Sequence, residues 1–145
     1  MIEALELAKK AEKHDEVPVG AVIVIGDKII AKAYNKREKK RDATAHAEVL
    51  AIRKACKKLH DFRLVGCDIY VTLEPCVMCM GAILNARLDN LYFGAKVNKQ
   101  DVLPCETLAS KAGLNHNINI TGGIMADECG ELVSSYFASK RNKIK

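Results

Sequence analysis

The sequence predicts a three-layer α/β/α sandwich built on a mixed sheet. Three observations predict it: a β-branched hairpin near the start of the chain, alternation of strands with helices after it, and helical segments with apolar residues on one face. Ile2, Leu5, Ala8 and Ala11 recur at helical spacing in a first helix that has to end before Pro18. Residues 21–25 (AVIVI) read as a short strand, Gly26-Asp27 supplies turn chemistry, and Lys28–Tyr34 is the return strand. Asn35 opens a loop, and residues 36–42 are a charge run. From Thr44 or Ala45 to Leu59, the positions Val49, Ile52, Ala55, Cys56 and Leu59 share one face of a second helix. Cys67–Leu73 is a mostly apolar run expected of an interior strand, and Pro75 suits the first turn of a third helix reaching residue 86. A strand at 91–95, a short helix at 106–112, a last strand at 118–121 and a closing helix from 127 to about residue 140 complete the pattern. With no repeat, low-complexity tract or linker, residues 1–145 are expected to be a single domain.

The chain has 145 residues, of which 49% are hydrophobic and 28% charged, so a disordered or collagenous chain is excluded. No segment approaches the ~18 uninterrupted apolar residues of a membrane span. Residues 1–13 lack the apolar region of a secretory signal, so a cytoplasmic location is expected. In that compartment the six cysteines are ligands, catalytic groups or buried fillers rather than disulfide partners. The net charge of +5 favours an anionic partner, and fits a lysine-rich solvated surface equally well.

Two short motifs carry chemistry: His46-Ala47-Glu48 at the start of the second helix, and Pro75-Cys76-Val77-Met78-Cys79 where a strand passes into the third. Either alone is weak, because a Cys-x-x-Cys can also be a redox pair or two buried thiols. Together they supply one imidazole and two thiolates, and three protein ligands with an open position form the pattern of a catalytic zinc. Cys56 lies ten residues beyond His46, about 15 Å along a helix at ~1.5 Å per residue, too far for one ion. His60 is farther, and Cys67 begins a strand that ends about 20 Å away at ~3.3 Å per residue. Cys105, Cys129, His14 and His116 are not excluded by local geometry, so a closed site stays open as an alternative.

A helix N-terminus favours the thiolate form of Cys76 and Cys79, and first-turn side chains at the second helix bring His46 and Glu48 toward the same point. Zinc lowers the pKa of bound water toward ~7, while Glu48 accepts the proton and delivers it to a ring nitrogen and a leaving amine. That is hydrolytic deamination. A capping-box role for Glu48 needs Ser or Thr three positions earlier, and position 45 is Ala. A merely solvated glutamate is the plain alternative.

The His-Ala-Glu triplet followed by residues 72–79 (TLEPCVMC) resembles the H-x-E…P-C-x-x-C signature of the zinc-dependent cytidine deaminase-like superfamily. Within it the likeness is to the bacterial tRNA-specific adenosine deaminases and covers nearly the whole chain. It includes residues 16–21 (EVPVGA), 42–48 (DATAHAE), 114–116 (LNH) and 126–129 (ADEC). The resemblance implies conversion of adenosine to inosine at the first anticodon (wobble) position of a tRNA by a homodimer. It implies zinc, one Zn²⁺ per chain, on His46, Cys76 and Cys79, proton transfer by Glu48, and substrate contacts from Asn35, the Ala47 amide and Val19. Asn35 is also a natural turn residue at the hairpin's end. A Gly-rich segment usual in the family has no counterpart in residues 96–104 (KVNKQDVLP). Guanine and cytosine deaminases share Leu-Glu-Pro-Cys-x-x-Cys, so a free nucleobase or nucleoside is the alternative substrate.

Basic residues at Lys36, Arg37, Lys39, Lys40 and Arg41, at Arg53, Lys54, Lys57 and Lys58, and at Lys140, Arg141, Lys143 and Lys145 suit phosphate contacts with an anticodon stem-loop. Base stacking calls for aromatics. Tyr136 and Phe137 match an aromatic pair that the family places near the anticodon loop. Helical spacing with Leu132 and Val133 gives them a core-packing alternative, which can hold for one while the other faces RNA. Met78 and Met80 suit an interface or a core.

Overall fold

A hairpin begins the sheet. Helix α1 (Ile2–Lys13) leads into β1 (Gly20–Ile25) and β2 (Lys28–Tyr34), which pair antiparallel across the Gly26-Asp27 turn, where Gly26 takes the left-handed φ of +55°. A one-turn helix α2 (Arg37–Lys40) and then α3 (Ala47–Leu59) follow, and β3 (Cys67–Leu73), α4 (Val77–Asn85) and β4 (Asn90–Ala95) form the next unit. Helix α5 (Cys105–Lys111), β5 (Asn119–Thr121) and α6 (Ala126–Ile144) end the chain. The computed structural model describes residues 1–97, 102–114 and 116–144. Residues 98–101 of the glycine-free segment, and Asn115 of the 114–116 stretch, lie outside the described residues.

The sheet order is β2-β1-β3-β4-β5, with β1 antiparallel to both neighbours and β3, β4 and β5 mutually parallel. It is the expected mixed sheet in a three-layer α/β/α arrangement. Helices α3, α4 and α5 lie on one side, α1 and α6 on the other. Alternation along β3 sends Cys67, Ile69 and Val71 into the larger core, where they meet Leu91 and Phe93 of β4, Ala51 and Ala55 of α3, and Met80 and Ile83 of α4. Met80 is therefore a core residue. The opposite side is thinner. A Cβ at Gly20 would collide with the Ala4 carbonyl, and one at Gly94 with the Cys129 thiol, so both glycines allow a helix to lie directly on the sheet.

Five elements differ locally from the pattern of the sequence. The charge run contains α2, whose amides are capped by a carboxylate from Glu16, a residue that local pattern cannot supply. Helix α3 starts at Ala47 with His46 as its extended N-cap (φ −72°, ψ 152°), not at residue 44 or 45. Likewise Cys76 is the extended N-cap of α4 (φ −74°, ψ 176°), so Pro75 precedes the helix rather than opening its first turn. Helix α5 starts one residue early, and α6 continues to Ile144 because its basic last turn suits the negative end of the helix dipole.

Candidate metal centre and active site

The two N-caps bring the side chains of a candidate metal cluster together. At the cap position the chain is still extended, so the side chains of His46 and Cys76 project beyond their helix ends toward a shared point. The His46 Nδ1 atom is 3.7 Å from Cys76 Sγ and 3.5 Å from Cys79 Sγ. Ligands at 2.0–2.1 Å (N) and 2.3 Å (S) around a tetrahedral zinc are about 3.6 Å apart, so the donor set and its spacing fit zinc. Among the described residues, the cluster that can hold a metal here consists of His46, Cys76 and Cys79.

The remaining cysteines and histidines are engaged elsewhere. Cys56 Sγ faces the Phe62 carbonyl at 3.7 Å, and Cys67 is buried in the core. Cys105 Sγ approaches Glu106 Oε2 at 3.6 Å, and Cys129, on the buried face of α6, packs against Gly94. His14 stacks on Tyr34, His60 is the left-handed C-cap of α3, and His116 Nε2 meets the Leu88 carbonyl at 2.7 Å. The alternative of a closed site supplied by Cys105, Cys129, His14 or His116 thus finds no support among these placements.

The electrostatics favour one thiolate before any metal binds. Cys76 is lowered to about 3, first by a hydrogen bond from the Cys79 thiol, then by His46 and the Cys79 amide, against the cost of burial. Cys79 is raised by the same bond and by burial, and so carries the shared proton. His46 is raised, chiefly by its bond to Cys76. Glu48 is 4% exposed, and burial pushes its carboxyl up from the usual carboxylate range. A carboxyl with a raised affinity for the proton, placed beside the cluster, is suited to taking and returning one.

A cavity of about 340 Å³ opens onto the cluster, lined by His46, Cys76 and Glu48 together with Asn35, Ala47 and Val19. That volume lies in the range of small-molecule sites, ~300–1,000 Å³. Asn35 is placed as the turn residue at the hairpin's end and also lines the cavity. Its Nδ2 donates to the Val17 carbonyl (3.3 Å) and its Oδ1 accepts the Arg37 amide (3.3 Å), ending the hairpin. One amide proton and one lone pair remain for a ligand.

Neither aromatic is a core residue, and the two differ in their contacts. Phe137 is 42% exposed and borders the cavity, whereas the Tyr136 hydroxyl donates to the Asp15 carbonyl at 3.2 Å. The rings meet edge to face, with centroids 5.5 Å apart. Lys140 pairs with Asp15 at 2.6 Å and lies over the Tyr136 ring, while Arg141 lines an adjoining cavity that also includes Phe137. Val17 and Glu74 in the wall were not singled out by the sequence, Val97 and Val102 belong to the glycine-free 96–104 segment, and Arg37, read as a phosphate contact, lines the cavity itself. Glu74, set between Leu73 and Pro75, carried the signal of a buried carboxylate, whereas Glu16, preceded by His14 and Asp15, carried none.

A buried glutamate beside a helix-end His/Cys/Cys cluster, in a mixed-sheet α/β/α fold, is the constellation of a metal-dependent deaminase. Residues 1–128 match the family model described as MafB19-like deaminase. The chain is 44% identical to the tRNA-specific adenosine deaminase of Bacillus subtilis (strain 168), over 100% of this chain and 91% of that protein. It is 41% identical to that of Haemophilus influenzae, over 98% of this chain and 83% of that one. A solved tRNA A34 deaminase, studied for A-to-I editing at the wobble position, superposes with TM-score 0.85 at 40% identity, covering 91% of this chain and 96% of the other. A guanine deaminase from Nitrosomonas europaea superposes with TM-score 0.81 at 26% identity, covering 93% and 81%. The chain belongs to the cytidine deaminase-like superfamily and, within it, to the family of bacterial tRNA-specific adenosine deaminases.

Proposed function

We propose that the protein is a zinc-dependent hydrolase that converts adenosine to inosine at the wobble position of a tRNA anticodon stem-loop. The observation that carries deamination is the position of Glu48, buried in the cavity wall beside three metal-binding side chains. The substrate reading rests on the relatives, which match along nearly the whole chain.

His46 through Nδ1, and Cys76 and Cys79 through Sγ, would hold the zinc. Bound there, zinc supplies a nucleophile by activating water at neutral pH. Glu48 takes the proton of the attacking water, passes it to the purine ring nitrogen next to the reacting carbon, and assists departure of the amine as ammonia. Water is consumed and inosine released. Asn35 and the Ala47 amide orient the base, and Val19 packs on it. Phe137 stands at the rim where an extruded base can stack. Lys140 and Arg141 on the same helix supply charge toward phosphates.

On this reading residues 1–145 form one catalytic domain and the protein is a cytoplasmic homodimer. Among the described residues, no helix is long and apolar enough to cross a membrane. Val77, 70% exposed at the start of α4, is an apolar residue that a second copy could cover. Ammonia release and inosine formation from an anticodon stem-loop, compared with free adenine, guanine, cytosine and their nucleosides, test the assignment. Turnover of the stem-loop alone supports it. Turnover of a free base without the stem-loop transfers the protein to the guanine deaminase type of activity.

A further inference from the structure

Two glutamates outside the metal cluster are buried and bonded in the same way. Glu16, 1% exposed, accepts the amides of Glu38 (3.0 Å) and Lys39 (2.9 Å) on its two carboxylate oxygens. Glu74, 6% exposed, accepts the amides of Val97 (3.2 Å) and Cys105 (2.9 Å). Burying a carboxylate is costly unless its oxygens are hydrogen-bonded, and here each oxygen has a backbone donor from another segment. Neither glutamate caps a helix adjacent to it in sequence. Each reaches across to a segment that lines the catalytic cavity.

The segment fastened by Glu16 carries Arg37, and the ends fastened by Glu74 carry Val97 and Val102. Both glutamates are also tied to the site through their own chain. Glu16 precedes Val17, whose carbonyl holds the Asn35 side chain. Glu74 precedes Pro75-Cys76, and its amide donates to the Ala95 carbonyl at 2.8 Å. Glu74 also lies within 4.8 Å of ligand atoms on Cys105 and Glu106. Its two oxygens are already taken by amides, which argues for a fastening role there rather than a second metal.

We propose that Glu16 and Glu74 are positioning residues, which hold two walls of the substrate cavity in register with the metal ligands by paired hydrogen bonds to backbone amides. The kinetic consequence rests on the deaminase reading; the fastening itself does not. Replacing Glu by Gln keeps the volume but turns one acceptor into a donor facing an N–H, which opens one hydrogen bond of each pair.

The test is amide hydrogen exchange on the zinc-loaded full chain, combined with steady-state kinetics on an anticodon stem-loop. In the unsubstituted protein the amides of Glu38, Lys39, Val97 and Cys105 are protected. E16Q loses protection at Glu38 and Lys39 only, and E74Q at Val97 and Cys105 only. In each variant KM rises on the order of ten-fold, with kcat within about two-fold and zinc content unchanged. Free exchange at these four amides in the unsubstituted protein overturns the proposal, and this measurement needs no variant to fold. Uniform loss of protection along the chain, or local loss with KM unchanged, also overturns it. If no substrate is turned over, the exchange pattern still decides the fastening, so failure of the functional assignment is read separately.

Discussion

The Tyr136 hydroxyl donates to the Asp15 carbonyl at 3.2 Å across 121 residues of sequence, and the next residue on the same helix, Phe137, borders the catalytic cavity. One aromatic ring anchors α6 and its neighbour is left facing the site. Their substitutions should therefore separate. Tyr136→Phe removes one partly exposed hydrogen bond and should cost about 1 kcal/mol of stability, with KM for the stem-loop nearly unchanged. Phe137→Ala should leave the thermal midpoint within a few degrees and raise KM by roughly 5- to 150-fold, as expected for loss of ~1–3 kcal/mol of base stacking. Equal effects of the two on KM would contradict the division of roles.

The same anchor has a defined pH dependence. Asp15 is lowered from its ordinary 3.8, first by the hydrogen bond from Lys140, and Lys140 is raised from 10.5 by that bond. A lowered carboxyl contributes stability above its unfolded value and loses it as pH falls through the folded value. A raised ammonium contributes below its unfolded value and loses it as pH rises through the folded one. The pair therefore holds α6 fully between about pH 4 and pH 10, and both groups are solvent-screened, so its worth is small. Carboxyl titration followed by NMR should give Asp15 a midpoint below the ordinary value, and Lys140→Met should return it. A midpoint unmoved by Lys140→Met removes the ion pair as the cause.

Glu48→Gln probes proton transfer without emptying the wall of the cavity. The variant should keep one zinc per chain, because Glu48 is not among the three clustered ligands. Its kcat should fall by at least ~10²–10⁴, the usual contribution of a positioned acid–base group. Metal content by elemental analysis and inosine by chromatography check the two halves. A variant with near-normal turnover would show that the proton travels by another route.

Much of the fold was legible because each strand carries its own signal. β3, with its run of apolar β-branched and aromatic residues, lies where the pattern put it, at the centre of the sheet. The cluster that can hold a metal was legible for a different reason: His46 and the Cys76/Cys79 pair are rare residue types at short spacings. What pattern could not supply are contacts made at long range. α2 looks like a solvated charge run because its cap, Glu16, comes from the segment after α1. The extended conformation of His46 was likewise hidden, since Ala45 and Thr44 resemble the start of a helix. Their chain is instead turned by Asp42, which accepts both the Thr44 amide and its hydroxyl.

Cys79→Ala distinguishes a metal centre from a pair of buried thiols. Cys79 is fully buried and its sulfur lies 3.5 Å from His46 Nδ1. If the cluster only fills space, exchanging Sγ for nothing is a small large-to-small change, worth about 1 kcal/mol, and added zinc or chelator does not move the unfolding midpoint. If it holds zinc, the unsubstituted protein should bind one equivalent, and a chelator should lower its midpoint because metal bound only to the folded state stabilises it by mass action. Cys79→Ala should bind less than a tenth of an equivalent after gel filtration, lack turnover, and show no chelator effect. Full metal occupancy in this variant would remove Cys79 from the ligand set, and with it the three-ligand geometry from which the chemistry is argued.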